Sequence, residues 1–233
     1  MSLRTAFSSP DTKRRYVRRL FTTIADRYDL ITCLLSFGRD RRWKARLIAL
    51  ARPARGEAVL DLACGTGDLA FAMAGRVRRV VGLDITPRMV DLASAKPGQV
   101  EFLVGDMGAL PLGDRMFDLV TTGYGFRNVP VLESALGEAH RVLRPGGRLV
   151  SLDFDRPRSW LLRTVYLAYL TVVGSCLGVL LHGDPDTYRY IPASIRRYPG
   201  AHGVADRMRA IGFREVEVYP VLGGLMAIHR AVK

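Results

Sequence analysis

The apolar positions in the first quarter of the chain follow a helical rhythm. They recur at steps of three and four residues, at Val17, Leu20, Phe21, Ile24 and Tyr28. This spacing places side chains on one face of an α-helix. The pattern therefore predicts a helical cap over residues 1–52 that contributes no strand to a sheet.

From Glu57 onward, short runs rich in valine and leucine alternate with helical stretches. Such alternation favours a parallel sheet whose strands are joined by right-handed crossovers. Only Val221 to Gly224 separate the last two runs, too few residues for a crossover helix, so these runs should pair antiparallel. The predicted strands are Ala58–Ala63, Arg78–Asp84, Val100–Gly105, Phe117–Gly123, Arg148–Phe154, Glu215–Pro220 and Leu225–Val232, and the predicted helices are Asp68–Ala74, Pro87–Ala95 and Val131–Leu143.

No repeat or low-complexity linker interrupts the chain, which predicts a single domain over 1–233 with its core in 53–233. Within that core, residues 160–181 carry no charge after Arg163 and are nearly long enough to span a bilayer. A crossing helix is disfavoured, because it would separate the last two strands from the sheet that they should complete. A helix on a membrane face and a buried core helix both remain open.

The chain is strongly basic, with a formal net charge of +13, and residues 1–52 hold 13 Lys and Arg against four Asp. Such a surface suits nucleic acid, an anionic membrane or plain solvation.

The three cysteines, Cys33, Cys64 and Cys176, share no metal-ligand spacing, so no metal site is predicted and a reducing compartment is favoured. No apolar run follows the first arginines, so we expect a cytoplasmic protein.

A glycine turn between the first predicted strand and its helix is the strongest local motif. The run from Val59 to Asp68 is an apolar strand that ends in Gly65-Thr66-Gly67. Because Gly65 and Gly67 have no Cβ, a ligand can approach the backbone closely there. The same glycines also fit the fingerprint of dinucleotide-binding proteins, so alone they do not identify the ligand.

Acidic residues on three successive strands narrow the choice of ligand. Asp61 lies ahead of the glycines, where a carboxylate suits a cationic amino group and would repel a pyrophosphate. Asp84 can accept hydrogen bonds from both hydroxyls of a ribose. Asp106, or the amide of Met107, can read an adenine edge. The alternative is that these carboxylates only cap the following helices.

These residues, with Phe117-Asp118 and Leu143 to Gly147, resemble the class I S-adenosylmethionine-dependent methyltransferases. The resemblance is more specific to the ubiquinone/menaquinone biosynthesis C-methyltransferases and covers Arg19 to Lys233. It is carried by Phe21 to Phe37 (including Ile24 to Asp29), Leu35 to Gly38, Gly125 to Val129, Tyr188 to Gly200, Gly223-Gly224, Ala227 and His229. It implies a Rossmann-like α/β fold with a mostly parallel seven-stranded sheet, an antiparallel C-terminal hairpin and the helical cap.

The resemblance also implies S-adenosylmethionine as the cofactor and a prenylated quinol as the substrate, methylated on a ring carbon. The implied cofactor contacts are Thr66, Asp84, Asp106, Met107 and Gly123, which replaces the family's usual serine. Ile85, which follows Asp84, is a further predicted cofactor contact, as are Asp61, Gly65 and Gly67 identified above. Thr32 and Phe126 also depart from the family pattern, near the expected quinol pocket.

For catalysis, Arg127 is predicted to hold a phenolate or an ordered water, with Asn128 and Tyr28 assisting in orientation. A guanidinium is a poor base but a good partner for developing oxyanion charge. The alternative for Arg127 is a structural ion pair. His229 is a further candidate.

Other functions remain open at this stage. They are methylation of another lipid-like or aromatic molecule, methylation of RNA, and binding without turnover. No added RNA-binding module is visible, so no nucleic-acid partner is expected. An anionic membrane surface is the expected contact for the basic front and for residues 160–181, on the inner face of the membrane. A homodimer is left open.

Overall fold

Seven strands form one sheet in the order β3-β2-β1-β4-β5-β7-β6. The computed structural model describes residue 3 and residues 5–157 and 159–233. Strands β1 to β5 run parallel, whereas β7 is antiparallel to both of its neighbours, β5 and β6. The predicted fold, a mostly parallel sheet that ends in an antiparallel hairpin, is confirmed. The strands are β1 Ala58–Leu62, β2 Arg79–Asp84, β3 Glu101–Val104, β4 Phe117–Gly123, β5 Leu143–Phe154, β6 Arg214–Val221 and β7 Met226–Val232.

The fifth strand begins five residues earlier than its apolar pattern predicts. The helix predicted over Val131–Leu143 covers Leu132–Val142, and the backbone of Leu143 already pairs with Phe117. The sequence Pro145-Gly146-Gly147, of a kind that usually ends a helix, lies inside β5, where the register with β4 shifts. A bulge of this kind accommodates residues that a regular strand would exclude.

The helices of the cap are α1 Pro10–Ile24, α2 Tyr28–Leu35 and α3 Asp40–Ala51. The side chain of Ser9 caps α1 by accepting a hydrogen bond from the Thr12 amide. The crossover helices are α4 Asp68–Ala74, α5 Pro87–Ser94 and α6 Leu132–Val142, and α7 Trp160–His182, α8 Asp186–Arg197 and α9 Gly200–Ile211 follow β5. Helices α8 and α9 were not predicted from the sequence.

The sheet is covered on both faces, as expected for parallel strands. Alternate residues of β1 point to opposite sides. Leu60 joins an apolar cluster that includes residues of α6 and α9, and Val59 joins one that includes residues of α3 and α4. Both side chains are completely buried. The two layers hold the carboxyl ends of β1, β2 and β4 in a fixed relation, and these ends form the floor of the site described below.

Helix α7 is not a core helix, because only 17% of its most apolar 18-residue window is buried. Its buried residues are Leu170, Gly174 and Gly178, which lie on one side. A Cβ on Gly174 would come within 3.2–3.4 Å of Tyr188, and one on Gly178 would collide with the carbonyl oxygen of Asp184. The two glycines therefore allow the close packing of α7 against α8 and the turn that precedes it. Length and composition alone would let α7 cross a membrane, which is weak support for a span.

Candidate active site

A cavity of about 580 Å³ lies at the carboxyl ends of the parallel strands. Open α/β sheets bind their ligands at this edge, and the volume is typical of a small-molecule site. The cavity brings together most of the residues that the sequence analysis selected. They are Tyr28, Gly65, Asp84, Ile85, Asp106, Met107, Gly123, Arg127 and Asn128.

Asp84 ends β2 beside the glycine turn and is 7% exposed. One carboxylate oxygen accepts a hydrogen bond from the Gly65 amide at 2.9 Å, and the other accepts one from the Thr86 amide at 2.8 Å. Burial raises the pKa of Asp84, and the hydrogen bonds from these amides oppose the rise. Each oxygen keeps a further lone pair, so the carboxylate can still accept from two ribose hydroxyls.

Asp106 lies at the edge of the cavity in contact with the cap. Its Oδ2 accepts a hydrogen bond from Arg14 Nε at 2.7 Å, and its Oδ1 accepts one from the Gly108 amide at 2.8 Å. Arg14 itself lines the cavity. Helix α1 therefore contributes a cation at the position where an adenine edge is expected, a contribution that was not predicted from the sequence.

Asp61 and Thr66 line a much smaller neighbouring cavity of about 20 Å³, which shares Tyr28, Gly65 and Gly123 with the large one. Asp61 is 1% exposed, and its Oδ1 accepts a hydrogen bond from the Thr121 hydroxyl at 2.8 Å. Burial raises the pKa of Asp61 to about 7, although Thr121 and the charge of Lys44 oppose the rise. A buried carboxylate in this position suits a cationic ligand group.

Gly67 lines neither of these two cavities. Its φ is +88°, and a Cβ at this position would come within 2.8 Å of the Phe71 ring and 3.0 Å of the Phe102 ring. The glycine is thus required by packing and backbone conformation, whereas Gly65 lies at the cavity itself. The Thr66 hydroxyl donates a hydrogen bond to Asp29 Oδ1 at 2.6 Å.

A polar network that the sequence analysis missed connects the cap to the sheet beside this small cavity. Lys44 Nζ lies 2.7 Å from Asp40 Oδ2 and 2.9 Å from Asp68 Oδ2. The Tyr124 hydroxyl donates a hydrogen bond to Asp40 Oδ1 at 2.7 Å. Tyr124 also has a left-handed backbone with a φ of 62°. This network fixes α3 against the loop that follows β4.

Arg127 is 7% exposed and lies against Asp153, which is 2% exposed. Its Nε is 3.4 Å from Asp153 Oδ1, and its backbone N–H donates to Asp153 Oδ2 at 3.0 Å. Its Nη1 donates to Ser194 Oγ at 2.9 Å and to Asn128 Oδ1 at 3.2 Å. Burial raises the pKa of Asp153, and the charge of Arg127 opposes this rise. The predicted catalytic residue is therefore also a member of a buried ion pair, so the two interpretations of Arg127 are compatible.

Asn128 and Tyr28 complete the predicted catalytic group. The Asn128 side-chain amide donates to the Tyr124 carbonyl at 2.8 Å, which fixes its orientation towards Arg127. Burial raises the pKa of Tyr28, and the charges of Lys44 and Arg127 oppose the rise. Tyr28 is therefore a protonated donor at neutral pH. Both residues line the cavity with Arg127.

Two other residues named in the sequence analysis, Phe126 and His229, do not line the large cavity. Phe126 is 1% exposed and belongs to the apolar core, so its departure from the family pattern changes packing rather than the lining of the pocket. His229 is 2% exposed on β7, where its Nε2 lies 2.9 Å from the Ala201 carbonyl. Thr32, by contrast, lines the cavity.

Asp153 is the most informative of the site residues that were not predicted from the sequence. It lies near the end of β5, a fifth strand of the same sheet. The rule that selected Asp61, Asp84 and Asp106 would have selected it as well. In the described ranges, no group of three or more His, Cys, Asp or Glu side chains is placed to hold a metal ion.

Comparison with known proteins adds to this geometry. A model of the ubiE/COQ5 methyltransferase family matches residues 9–233. The chain is 43% identical over 216 residues to a demethylmenaquinone methyltransferase of Thermus thermophilus, in a match that covers 90% of this chain and 98% of the relative. It is 38% identical over 226 residues to the ubiquinone/menaquinone biosynthesis C-methyltransferase UbiE of Rubrivivax gelatinosus, in a match that covers 96% and 90%.

Solved structures show the same fold. A SAM-dependent methyltransferase of Thermotoga maritima, described as a possible histamine N-methyltransferase, superposes with a TM-score of 0.67. The match covers 93% of this chain and 99% of that one, at 21% sequence identity. At this level of identity, the similarity concerns the architecture and not the substrate.

Proposed function

Because the chain belongs to the ubiE/COQ5 methyltransferase family, we propose that it methylates a ring carbon of a prenylated quinol, with S-adenosylmethionine as methyl donor. The main support for this proposal is the set of residues that line the large cavity. It joins the strand-end carboxylate Asp84 and the glycine turn at Gly65 to Arg127 and Asn128 within one space. A cofactor site and a site for a substrate oxygen thus open into each other.

Methyl transfer to carbon is an in-line displacement that needs alignment more than covalent catalysis. Bound S-adenosylmethionine supplies the electrophilic methyl group. The residues that would hold it are Asp61 at its ammonium group, Asp84 at its ribose and Asp106 with Met107 at its adenine. The buried and ligand-sized space beside these carboxylates fits a cationic adenosyl compound better than a pyrophosphate.

On the substrate side, a quinol carbon becomes nucleophilic when the neighbouring phenol approaches the phenolate. The positive charge of Arg127 stabilises that oxygen, and Asp153 holds the guanidinium in place through the contact at 3.4 Å. Asn128 and Tyr28 orient the ring. The ring carbon would take the methyl group as the methyl–sulfur bond breaks, with S-adenosylhomocysteine as the leaving group. It would then give its proton to water, which restores the aromatic ring.

Most of the remaining cavity wall is apolar and suits a prenyl chain. It includes Ile31 and Leu35 of α2, Phe37, and Tyr169 and Leu170 of α7. The rings of Phe37 and Tyr169 stack with centroids 6.2 Å apart, which joins the end of α2 to α7. We infer that the chain of the substrate leaves the cavity along this side.

The outer surface beside these rings is unusually apolar. We use the name apolar flank for seven exposed side chains of α2, α7 and the turn between α2 and α3. They are Leu30, Leu34, Phe37, Leu161, Val165, Val172 and Val179, which are 47–75% exposed. The α7 members recur at helical spacing on the side opposite Gly174 and Gly178. An exposed apolar surface of this kind marks an interaction site.

We propose that the apolar flank docks on an anionic membrane at the cytoplasmic face, where a prenylated substrate resides. Exposed arginines follow it in the sequence, namely Arg39, Arg41 and Arg42 after Phe37. Cations beside an apolar helix face are typical of interfacial binding. The occupant is therefore a lipid surface, and the basic charge is assigned to headgroups rather than to nucleic acid.

Vesicle binding tests the docking proposal with two matched valines. Val172→Glu on the apolar flank should weaken cosedimentation with anionic vesicles, because it places a carboxylate where acyl chains and anionic headgroups meet the helix. Val131→Glu, at a valine that is 40% exposed outside the flank, should not. Equal binding by all three proteins would contradict docking through α7, and resistance of the native protein to carbonate washing would instead support a membrane span.

The methylation proposal is tested by comparing the quinones of cells that contain and lack this chain. Mass spectrometry should find a quinone lighter by one methyl group in the cells that lack it. A lighter naphthoquinone would identify demethylmenaquinol as the substrate, and a lighter benzoquinone would identify the corresponding ubiquinone precursor. Unchanged quinones would refute the proposal.

A further inference from the structure

A tyrosine of the cavity wall has a buried hydroxyl with no hydrogen-bond partner among the described residues. Tyr190 of α8 is 1% exposed and lines the large cavity. Among the described residues, nothing forms a hydrogen bond with its hydroxyl oxygen. A residue of the cavity wall therefore carries an unsatisfied polar atom.

The ring of Tyr190 is held firmly by its neighbours. It stacks on Phe7 with centroids 5.7 Å apart and an interplanar angle of 4°, and it packs on Tyr16 with centroids 5.5 Å apart. These contacts would be equally available to a phenylalanine. A buried hydroxyl without a partner costs about 1–3 kcal/mol, so packing alone does not account for a tyrosine at this position.

Helix α8 carries both Tyr190 and a residue that contacts Arg127. Ser194, one helical turn after Tyr190, accepts a hydrogen bond from Arg127 Nη1 at 2.9 Å, and residues four apart lie on one face of a helix. Burial raises the pKa of Tyr190, an effect that the charge of Arg127 opposes. The phenol therefore keeps its proton at neutral pH and can act as a hydrogen-bond donor.

We propose that the Tyr190 hydroxyl donates a hydrogen bond to the same quinol oxygen that Arg127 stabilises. This inference rests on the proposed function and adds a second donor at the developing oxyanion. No bond is formed or broken at Tyr190. Its hydrogen bond becomes stronger as the substrate oxygen gains charge, which is the condition for a group that lowers the barrier.

The matched test uses two tyrosines whose hydroxyls are alike in burial. The Tyr198 hydroxyl is also buried and has no partner among the described residues, but Tyr198 belongs to the apolar core and does not line the large cavity. Tyr190→Phe and Tyr198→Phe should both leave the Tm of the ligand-free protein unchanged or slightly higher, because each removes an unsatisfied polar atom.

Activity should separate the two variants. With a reduced short-chain quinol, Tyr190→Phe should lower kcat/KM by about 100-fold, the lower end of the loss seen for one oxyanion donor. The pH profile of kcat/KM should move to higher pH, since a phenolate with one donor fewer forms less readily. Tyr198→Phe should keep the native rate and profile, and the Kd for S-adenosylmethionine should be unchanged in both.

Three results would overturn the inference. They are a native kcat/KM and pH profile in Tyr190→Phe, an equal loss in Tyr198→Phe, or a loss in Tyr190→Phe that is explained by a lower Tm. A native enzyme that methylates no reduced quinol would instead overturn the proposed function, and this inference with it. The two failures are distinguished by the activity of the native protein in the same assay.

Discussion

Replacing Asp61 with asparagine should stabilise the cofactor-free protein above neutral pH and weaken its binding of S-adenosylmethionine. The carboxyl is buried, and burial raises its pKa to about 7 from an ordinary value of 3.8. Asparagine has nearly the same shape and can still accept the hydrogen bond from the Thr121 hydroxyl, which spans 2.8 Å. The substitution therefore removes the charge with little change in packing.

The expected magnitude follows from the two pKa values. A difference of about three pH units corresponds to at most about 4 kcal/mol, at 1.36 kcal/mol for each unit. Since the folded pKa lies above the unfolded one, the favourable contribution of the protonated group is complete below about pH 4 and is lost as the pH rises to about 7. Above pH 7, the asparagine variant should be more stable than the native protein by about 1–4 kcal/mol.

Cofactor binding should change in the opposite sense. An ammonium group that loses a charged acceptor loses about 1.5–3 kcal/mol, which is a 10- to 100-fold weaker Kd. The native affinity should fall below pH 7 as Asp61 becomes protonated, so the difference between the two proteins should shrink there. Urea unfolding measures the stability from pH 4 to 9, and calorimetry measures the Kd over the same range.

Asp118→Asn provides the control, because this carboxylate lies outside both cavities. Burial tends to raise the pKa of Asp118, but hydrogen bonds from the Ala58 amide and Arg144 outweigh burial and lower it. Its removal should cost stability near neutral pH and leave the Kd unchanged. If the stability and the Kd of Asp61→Asn follow the same pH profiles as those of the native protein, the assignment of Asp61 to the cofactor site is refuted.

Three further substitutions test other parts of the account. Arg127→Lys keeps a cation beside Asp153 but loses the planar fork, so steady-state kinetics should show kcat and kcat/KM falling together by about 100-fold or more; near-native turnover would move the catalytic role elsewhere. Asp84→Asn should weaken S-adenosylmethionine binding at least several-fold by calorimetry, since an amide can replace only one of two carboxylate acceptors; an unchanged Kd in a folded variant would remove Asp84 from the site. Gly178→Ala should lower the Tm, because its Cβ would collide with the Asp184 carbonyl oxygen, whereas Gly137→Ala in α6, where a Cβ meets nothing within 4 Å, should not; an unchanged Tm in both would contradict the tight packing of α7 on α8.

The sheet could be predicted because each parallel strand is a short, nearly continuous apolar run, and because parallel strands all end at one edge. Because of this shared edge, Asp84 and Asp106 could be predicted to lie near each other before any contact was known. The early start of β5 escaped prediction, since Leu143 to Gly147 contain a proline and two glycines that usually end a helix. A bulge can absorb such residues only when a neighbouring strand is in place.

The parts of the site that the sequence did not reveal depend on contacts between distant segments. The bond between Tyr124 and Asp40 joins residues 84 positions apart, and the bond between Arg14 and Asp106 joins residues 92 apart. Spacing along one element cannot predict such pairs. The buried but unpartnered hydroxyl of Tyr190 is likewise visible only when its surroundings are known.

The most direct test of the central claim is methyl transfer to a demethylated naphthoquinone, measured with and without a reductant. With S-adenosylmethionine that carries a deuterated methyl group, mass spectrometry should find the label on a ring carbon of the product, and only in the reduced reaction. The oxidised quinone has no phenol to supply charge to that carbon. Equal rates with quinone and quinol, or a label on oxygen rather than carbon, would contradict the account.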